Sequence, residues 1–278
     1  MPIKIITDST SDLPESAALQ YGIFVVPCYI NIGEKSYLDG IDLPRKEFYE
    51  RLPHFPVLPK TSSPNLSSFQ EVYERAAAEG ATQVISIHVA SAFSSVVDTA
   101  RAAARAVTST QVTVVDSESV SMGLGFMAVA AARAAAAGKS AAEIAVLLKS
   151  KVEKTILFAG LDTVDYLRRS GRASRIQASL SAFLHIFPVL HVYRGIVDLE
   201  RIRTHARVFE RLVTLAEESA PLEELAVLHT NCLEQAEEIC KKIQHLLPDH
   251  PIWIREATPA IGTHVGPNGL GVVCVRAA

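Results

Sequence analysis

The chain has 278 residues, 49% of them hydrophobic and 21% charged, which is enough apolar material for a sizeable core and too apolar a balance for a disordered chain. Its 27 lysines and arginines against 30 aspartates and glutamates leave a net charge of −3, so there is no electrostatic footprint for a polyanion and general nucleic-acid binding is disfavoured. A chain of this length tends to split its core, and two modest domains are expected.

Met1-Pro2-Ile3-Lys4 leads straight into a strand-like run. No basic segment followed by an apolar one precedes it, so a cytoplasmic location is expected. Ile3 to Thr7 reads as the first strand. Asp12, Pro14 and Glu15 then have the look of an N-cap, a first-turn proline and an acidic third residue, predicting a helix to about Gln20. Phe24 to Val26 and Tyr29 to Ile32 read as extended, and Gly33-Glu34 before Lys35 to Leu38 suggests a hairpin at an antiparallel edge. Pro44 to Leu52 reads as a short helix. Three prolines between Pro53 and Pro59 forbid regular structure there.

A run of βα units follows: helix Asn65 to Glu79, strand Val84 to His88, helix Ser94 to Val107, strand Val112 to Val115 and an alanine-rich helix from Ser121 to Ala137. That last helix is interrupted by Arg133 and falls short of the ~20 apolar residues a membrane span needs. Ser140 and Glu143 form a capping box for a helix to about Lys154. The second half reads as strand Ile156 to Ala159, helices Val164 to Arg169 and Arg175 to Leu184, and a hairpin of Pro188 to Val192 with Ile196 to Leu199. Helix Arg203 to Glu218, strand Leu225 to Leu228, helix Leu233 to Leu247 and strands Ile252 to Ile254 and Gly271 to Val275 complete it. The expected fold is therefore α/β, with two α/β domains at 1–155 and 156–278. The first should hold a mainly parallel sheet and the second a mixed one.

Several motifs carry little chemistry. Gly123-Leu124-Gly125-Phe126-Met127-Ala128 fits a dinucleotide-binding string, but its strand ends near Val115, too early for glycines that belong in the turn itself. Gly138-Lys139-Ser140 echoes a phosphate loop, yet Arg133 stands where the first glycine is required. Cys28, Cys232, Cys240 and Cys274 lie far apart without metal-ligand spacing and read as reduced core thiols. His185, His191, His205, His229 and His264 also lack such spacing, and no metal is expected. Asp8, at the end of the first strand, is either a nucleophile that forms an aspartyl phosphate or a tie for a tight turn. The first option makes the chain a stand-alone phosphatase or phosphotransferase that depends on Mg²⁺.

Two hydroxyl clusters have a stronger claim. Thr61-Ser62-Ser63-Pro64 precedes a helix, and Ser91-Ala92-Phe93-Ser94-Ser95 joins a strand to the next helix. Both would set hydroxyls and backbone N–H groups at helix N-termini, which either bind an anion or simply cap the helix. In a parallel sheet both loops would also lie at the carboxyl edge, where ligands gather. Gly262-Thr263-His264-Val265-Gly266-Pro267-Asn268-Gly269 is a third candidate, its glycines suited either to a backbone passing close to a ligand or to a tight turn.

Four segments in order, Thr7-Asp8-Ser9-Thr10-Ser11-Asp12-Leu13-Pro14, Lys60-Thr61-Ser62-Ser63-Pro64, Leu161 to Arg172, and Gly262-Thr263-His264-Val265-Gly266-Pro267, together resemble the DegV family. The resemblance implies a two-domain α/β protein without catalysis or cofactor of its own. Such a protein holds one long-chain fatty acid between its domains, as the binding subunit of a bacterial fatty acid kinase does. A separate ATP-dependent kinase would phosphorylate the bound carboxylate, and acyl phosphate would leave for phospholipid synthesis. By the same resemblance Thr61 and Ser94 face the carboxylate, with Ser62 and Ser95 in the same turns. Arg172, Arg203 and His264 match positions suited to the headgroup or to kinase docking. The sequence departs from the family's Ser-Gly-Thr turn at Ser95 and Val96, from its lysine before Pro188 at Phe187, and from its Gly-Pro-Gly at Asn268.

Overall fold

The structure, a computed structural model, describes residues 2–172 and 186–277. The first part of the chain runs β1 (Ile3–Asp8), α1 (Glu15–Tyr21), β2 (Ile23–Val26), β3 (Tyr29–Ile32), β4 (Lys35–Leu38), α2 (Arg45–Arg51), β5 (Lys60–Ser62) and α3 (Leu66–Ala78). It continues through β6 (Gln83–His88), α4 (Val96–Ala106), β7 (Gln111–Asp116), α5 (Met122–Ala136) and α6 (Ala141–Lys154). The second part holds β8 (Thr155–Gly160), α7 (Asp165–Arg169), β9 (Phe187–Tyr193), β10 (Ile196–Ile202) and α8 (His205–Glu218). After these come β11 (Leu222–His229), α9 (Leu233–Ile243), β12 (Trp253–Glu256), α10 (Pro259–Val265) and β13 (Leu270–Arg276).

Two α/β domains result. The first is built on a parallel sheet of order β2-β1-β6-β7. Its core joins Ile5, Ile6 and Ile85 of the central strands to Phe69 and Tyr73 of α3, Ala100 of α4 and Met127 of α5. The second has a mixed six-stranded sheet of order β10-β9-β8-β13-β11-β12, in which only β11 and β12 run parallel. Alternation along its strands sends side chains to opposite faces. Ile156, Phe158 and Val189 pack with α8 and α9, whereas Leu157, Leu190 and Val192 turn toward the first domain.

Several local expectations hold. The Ser140–Glu143 capping box is present at the start of α6. The β9–β10 connection is a two-residue turn at Arg194 and Gly195, both with positive φ (51° and 73°), the geometry of a tight hairpin. Others are corrected. Asp12 does not cap α1: it takes a left-handed conformation, and its buried carboxylate accepts from the Thr258 N–H at 2.7 Å and from the Ser121 hydroxyl. The expected hairpin of Tyr29–Ile32 with Lys35–Leu38 does form and is antiparallel, but it does not edge the main sheet. β2 pairs parallel with β1, while β3 and β4 join β5 in a separate antiparallel sheet of order β4-β3-β5. The glycine-rich segment 262–269, expected as a close-approach backbone or a tight turn, is helical in its first part: Gly262 to Val265 belong to α10, which has Pro259 at its first position. The helix expected at Arg175 to Leu184, like His185, lies outside the described residues.

Among the described residues no helix is long and apolar enough to cross a membrane. No group of three or more His, Cys, Asp or Glu side chains is placed to hold a metal ion among them.

Candidate functional site

The carboxyl edge of the parallel sheet faces the open side of the six-stranded sheet, and between them lies a cavity of about 200 Å³. Strand alternation makes one wall apolar. Leu157 and Ala159 of β8, Leu190 and Val192 of β9, Val197 of β10 and Leu228 of β11 all project into it. The opposite wall comes from the ends of the parallel strands: Cys28 after β2, Thr10 after β1, Val89, Phe93 and Ser94 after β6, and Val120 and Ser121 after β7. Ala260, Ile261, His264 and Val265 of α10 line one side.

Hydroxyl groups gather at one part of this cavity. Thr61, Ser62, Ser63 and Ser94 line it, together with His264 and Arg172. Thr61 Oγ1 and His264 Nε2 are hydrogen-bonded at 2.8 Å. The Ser63 hydroxyl lies 2.9 Å from that of Ser95 and 3.4 Å from that of Ser94, so one serine gathers the two turns. The two sequence clusters therefore meet, but by a different construction from the one expected. Thr61 and Ser62 stand on edge strand β5, and Asn65, not either of them, caps α3 by accepting from the Ser68 N–H at 2.8 Å. Ser94 and Ser95 do sit at the start of α4, where Ser95 makes no side-chain cap. Ser95 is outside the cavity lining and reaches it through Ser63.

His264 is neutral. Burial, reinforced by the nearby Arg172 guanidinium, holds its imidazole down at about 3, and its Nδ1 is buried without a hydrogen-bond partner. A neutral imidazole on Thr61 fixes that hydroxyl without adding a charge. Arg172 donates to the Ser170 carbonyl at 3.0 Å and lines the cavity beside His264. Arg203 is exposed and lies outside the lining, on the approach to α8.

The arrangement has the chemistry to hold an amphiphile: neutral hydroxyls gathered at one place on the wall, hydrocarbon over most of the rest. Asp8 takes no part in it. Its buried carboxylate accepts from Thr10 N–H at 3.0 Å, from the Thr10 hydroxyl and from Val89 N–H at 3.1 Å, and it lies 3.0 Å from His88 Nδ1. With its oxygens thus engaged and away from the cavity, Asp8 is a structural tie for the turn after β1.

Two of the departures noted in the sequence are accommodated locally. Asn268 has φ 58°, in the left-handed region that asparagine tolerates better than most residues, so it replaces glycine without forcing the turn. Phe187 opens β9 and lays its ring on that of His205, with centroids 3.8 Å apart.

Comparison with known proteins places the sequence and the fold. Residues 2–277 match a family model described as an uncharacterised protein of the DegV family. The chain is 35% identical over 274 residues to a DegV domain-containing protein of Halalkalibacterium halodurans, covering 97% of each. The crystal structure of DegV, a fatty acid binding protein from Bacillus subtilis, superposes with a TM-score of 0.90 at 30% identity, covering 99% of both chains. A DegV family protein from Thermus thermophilus, solved for its fatty acid binding, gives 0.88 at 27% identity, again over 99% of each. Matched along almost its whole length in sequence and in fold, this chain belongs to the DegV family.

Proposed function

We propose that the protein is a cytoplasmic carrier that holds one long-chain fatty acid between its domains, divided at 155/156. The carboxylate lies at Thr61, Ser62, Ser94 and His264, with Ser95 behind them. The observation that carries this reading is the cavity's pairing of a hydroxyl cluster at Thr61, Ser62, Ser63 and Ser94 with a wall that is mostly apolar. Each buried methylene contributes about 0.8 kcal/mol, so a chain of roughly 16 carbons supplies on the order of 10 kcal/mol before ordering and association costs are subtracted. Neutral hydroxyls orient the headgroup without stranding a buried charge when the ligand leaves.

The carboxylate is held for a separate ATP-dependent fatty acid kinase. One of its oxygens attacks the γ-phosphorus of ATP, ADP departs, and the acyl phosphate leaves with the carrier for phospholipid synthesis. The protein itself supplies no catalytic group. Arg172, beside the headgroup, and exposed Arg203 are the cations suited to that docking.

Native mass spectrometry of freshly purified protein, followed by lipid extraction, tests the first part. The expected result is one acyl chain per polypeptide; a protein that carries none and takes up no palmitate on titration overturns the reading.

A further inference from the structure

We infer that the tip of the β9–β10 hairpin is the gate through which the acyl chain enters and leaves the cavity. This rests on the fatty-acid reading above. Two contact regions between the domains flank the cavity, and they are tied very differently. On the α10 side, buried carboxylates take the N–H groups of Thr258 (Asp12, 2.7 Å) and Ala260 (Asp39, 3.1 Å). The Tyr49 hydroxyl bonds the Ala257 carbonyl at 2.9 Å, and His264 bonds Thr61. All four are buried or half-buried, and the two to Asp12 and Asp39 have carboxylate acceptors, the stronger kind.

On the hairpin side, among the described residues, the polar ties of the tip are one backbone bond, Gly195 N–H to the Glu118 carbonyl at 2.7 Å, and an exposed ion pair, Arg194 to Glu118 at 3.8 Å, beyond the apolar packing of Val192 and Val197 deeper in the hairpin. Exposed pairs of that kind hold weakly. One further bond, Tyr193 hydroxyl to the Glu153 carbonyl at 3.1 Å, is also exposed. β10 is an edge strand, so the hairpin is secured laterally on one side only. Leu190, Val192 and Val197 of this hairpin are cavity wall, and lifting its tip therefore opens the cavity itself. Tyr193 and Ile196, flanking the tip, are 39% and 48% exposed and offer an apolar lip beside that opening. The latch residues Glu118 and Arg194 both hold left-handed backbone, φ 48° and 51°, which at Arg194 is the geometry of the hairpin turn itself.

A Cβ placed on Gly195 would stand 3.6 Å from the Cβ of Ala92, within the ~3.5–4.5 Å span of a disulfide. In a Cys240→Ala background, Ala92→Cys with Gly195→Cys is expected to exchange radiolabelled palmitate like the parent when reduced. After oxidation both loading and release should slow at least about tenfold, as for a closed lid, and recover with dithiothreitol. Equal exchange by the oxidised and reduced forms overturns the gate while leaving palmitate binding intact. Because Gly195 has positive φ, Arg194→Ala supplies a second test that keeps the turn glycine. Loading and release should both quicken by about two- to fivefold with Kd unchanged, the signature of a weakened latch. Faster release alone, with Kd weakened in proportion, makes the tip merely a binding wall and overturns the gate. A parent protein that binds no palmitate overturns both proposals.

Discussion

Thr61 and His264 stand 203 positions apart in the chain, yet the threonine hydroxyl and the imidazole Nε2 meet at 2.8 Å. One is on an edge strand of the first domain and the other on α10, which the acids Asp12 and Asp39 pin to that domain. The proposed headgroup site is thus assembled from segments far apart in the chain. Thr61→Val removes the hydroxyl at nearly constant volume and should weaken palmitate binding by about 1–3 kcal/mol, the scale of a hydrogen bond to a charged group. Ser94→Ala should act in the same sense. Calorimetric titration checks both, with urea denaturation to show that the fold is retained. Unchanged affinity in both variants would reject the assignment.

The imidazole of His264 should stay neutral throughout the range in which an ordinary histidine titrates. Burial is the larger cause of its depressed value of about 3, and the Arg172 charge adds to it. Nuclear magnetic resonance titration should show no protonation of His264 between pH 8 and pH 5. In Arg172→Ala the apparent value should move upward, though not to the ordinary value, because burial persists. A His264 that titrates near 6.5 in the parent would show the site to be open and solvated.

Gly262 marks the contact between α10 and α2. A Cβ there would lie 2.5 Å from the Tyr49 hydroxyl and 2.8 Å from Phe48 Cε1, and both rings are fully buried. Gly262→Ala must push α10 away from α2, at a cost of about 1–3 kcal/mol typical of overpacking. His264 rides on the same helix, so palmitate affinity should fall with stability. Gly262 lies within α10 and has no positive φ, so the substitution carries no left-handed backbone penalty and the loss reports packing. A Gly262→Ala protein with parental stability and affinity would mean that α10 is not held as described.

How much of this could be read in the sequence depends on the range of the interactions. The Ser140–Glu143 box, the tight turn at Arg194-Gly195 and the alternating β8 and β9 are local patterns, and they appear where the residues put them. Lys60-Thr61-Ser62 carries no alternation of apolar residues, and its strand exists because β3 pairs with it, Ile30 opposite Thr61. The glycines from Gly262 onward suit a turn, yet Pro259 at the first helical position and the Asp12 and Asp39 carboxylates, which accept the Thr258 and Ala260 N–H groups, let a helix start. Asp12 has the spacing of an N-cap but is drawn into the domain interface by Thr258 and Ser121. The hydroxyl clusters were visible as clusters; that Ser63 joins them to each other is a tertiary fact.

The docking role proposed for Arg203 can be tested apart from ligand binding. Arg203 is exposed and outside the cavity lining, so Arg203→Ala should leave palmitate affinity within about twofold, the small effect usual for a surface change. Acyl-phosphate formation by a partner kinase should fall, and more steeply at high salt if the charge steers the encounter. The measurement is kinase turnover against carrier concentration at two ionic strengths. Loss of palmitate binding would move Arg203 into the site, and unaltered turnover would remove it from the docking surface.

Asp39 gives the domain interface its own pH dependence. Burial lifts its carboxyl from 3.8 to about 6; the Ser9 hydroxyl and Ala260 N–H lower it, Asp12 raises it further and Arg45 opposes that. Unfolded, the group ionises near its ordinary value. Between pH 4 and 6 the native protein therefore holds a proton that the unfolded chain has released, and stability falls as pH rises through that window. Above it the buried anion carries its full penalty, on the order of 3 kcal/mol at 1.36 kcal/mol for each pH unit. Asparagine keeps an oxygen for the Ala260 N–H and removes the charge. Asp39→Asn should therefore exceed the parent in stability by about 1–3 kcal/mol at pH 7.5 and match it within about 0.5 kcal/mol at pH 4. Urea unfolding at the two pH values measures the difference. If the variant is the weaker protein at pH 7.5, the anion is needed, and its attraction to Arg45 outweighs the cost of burying it.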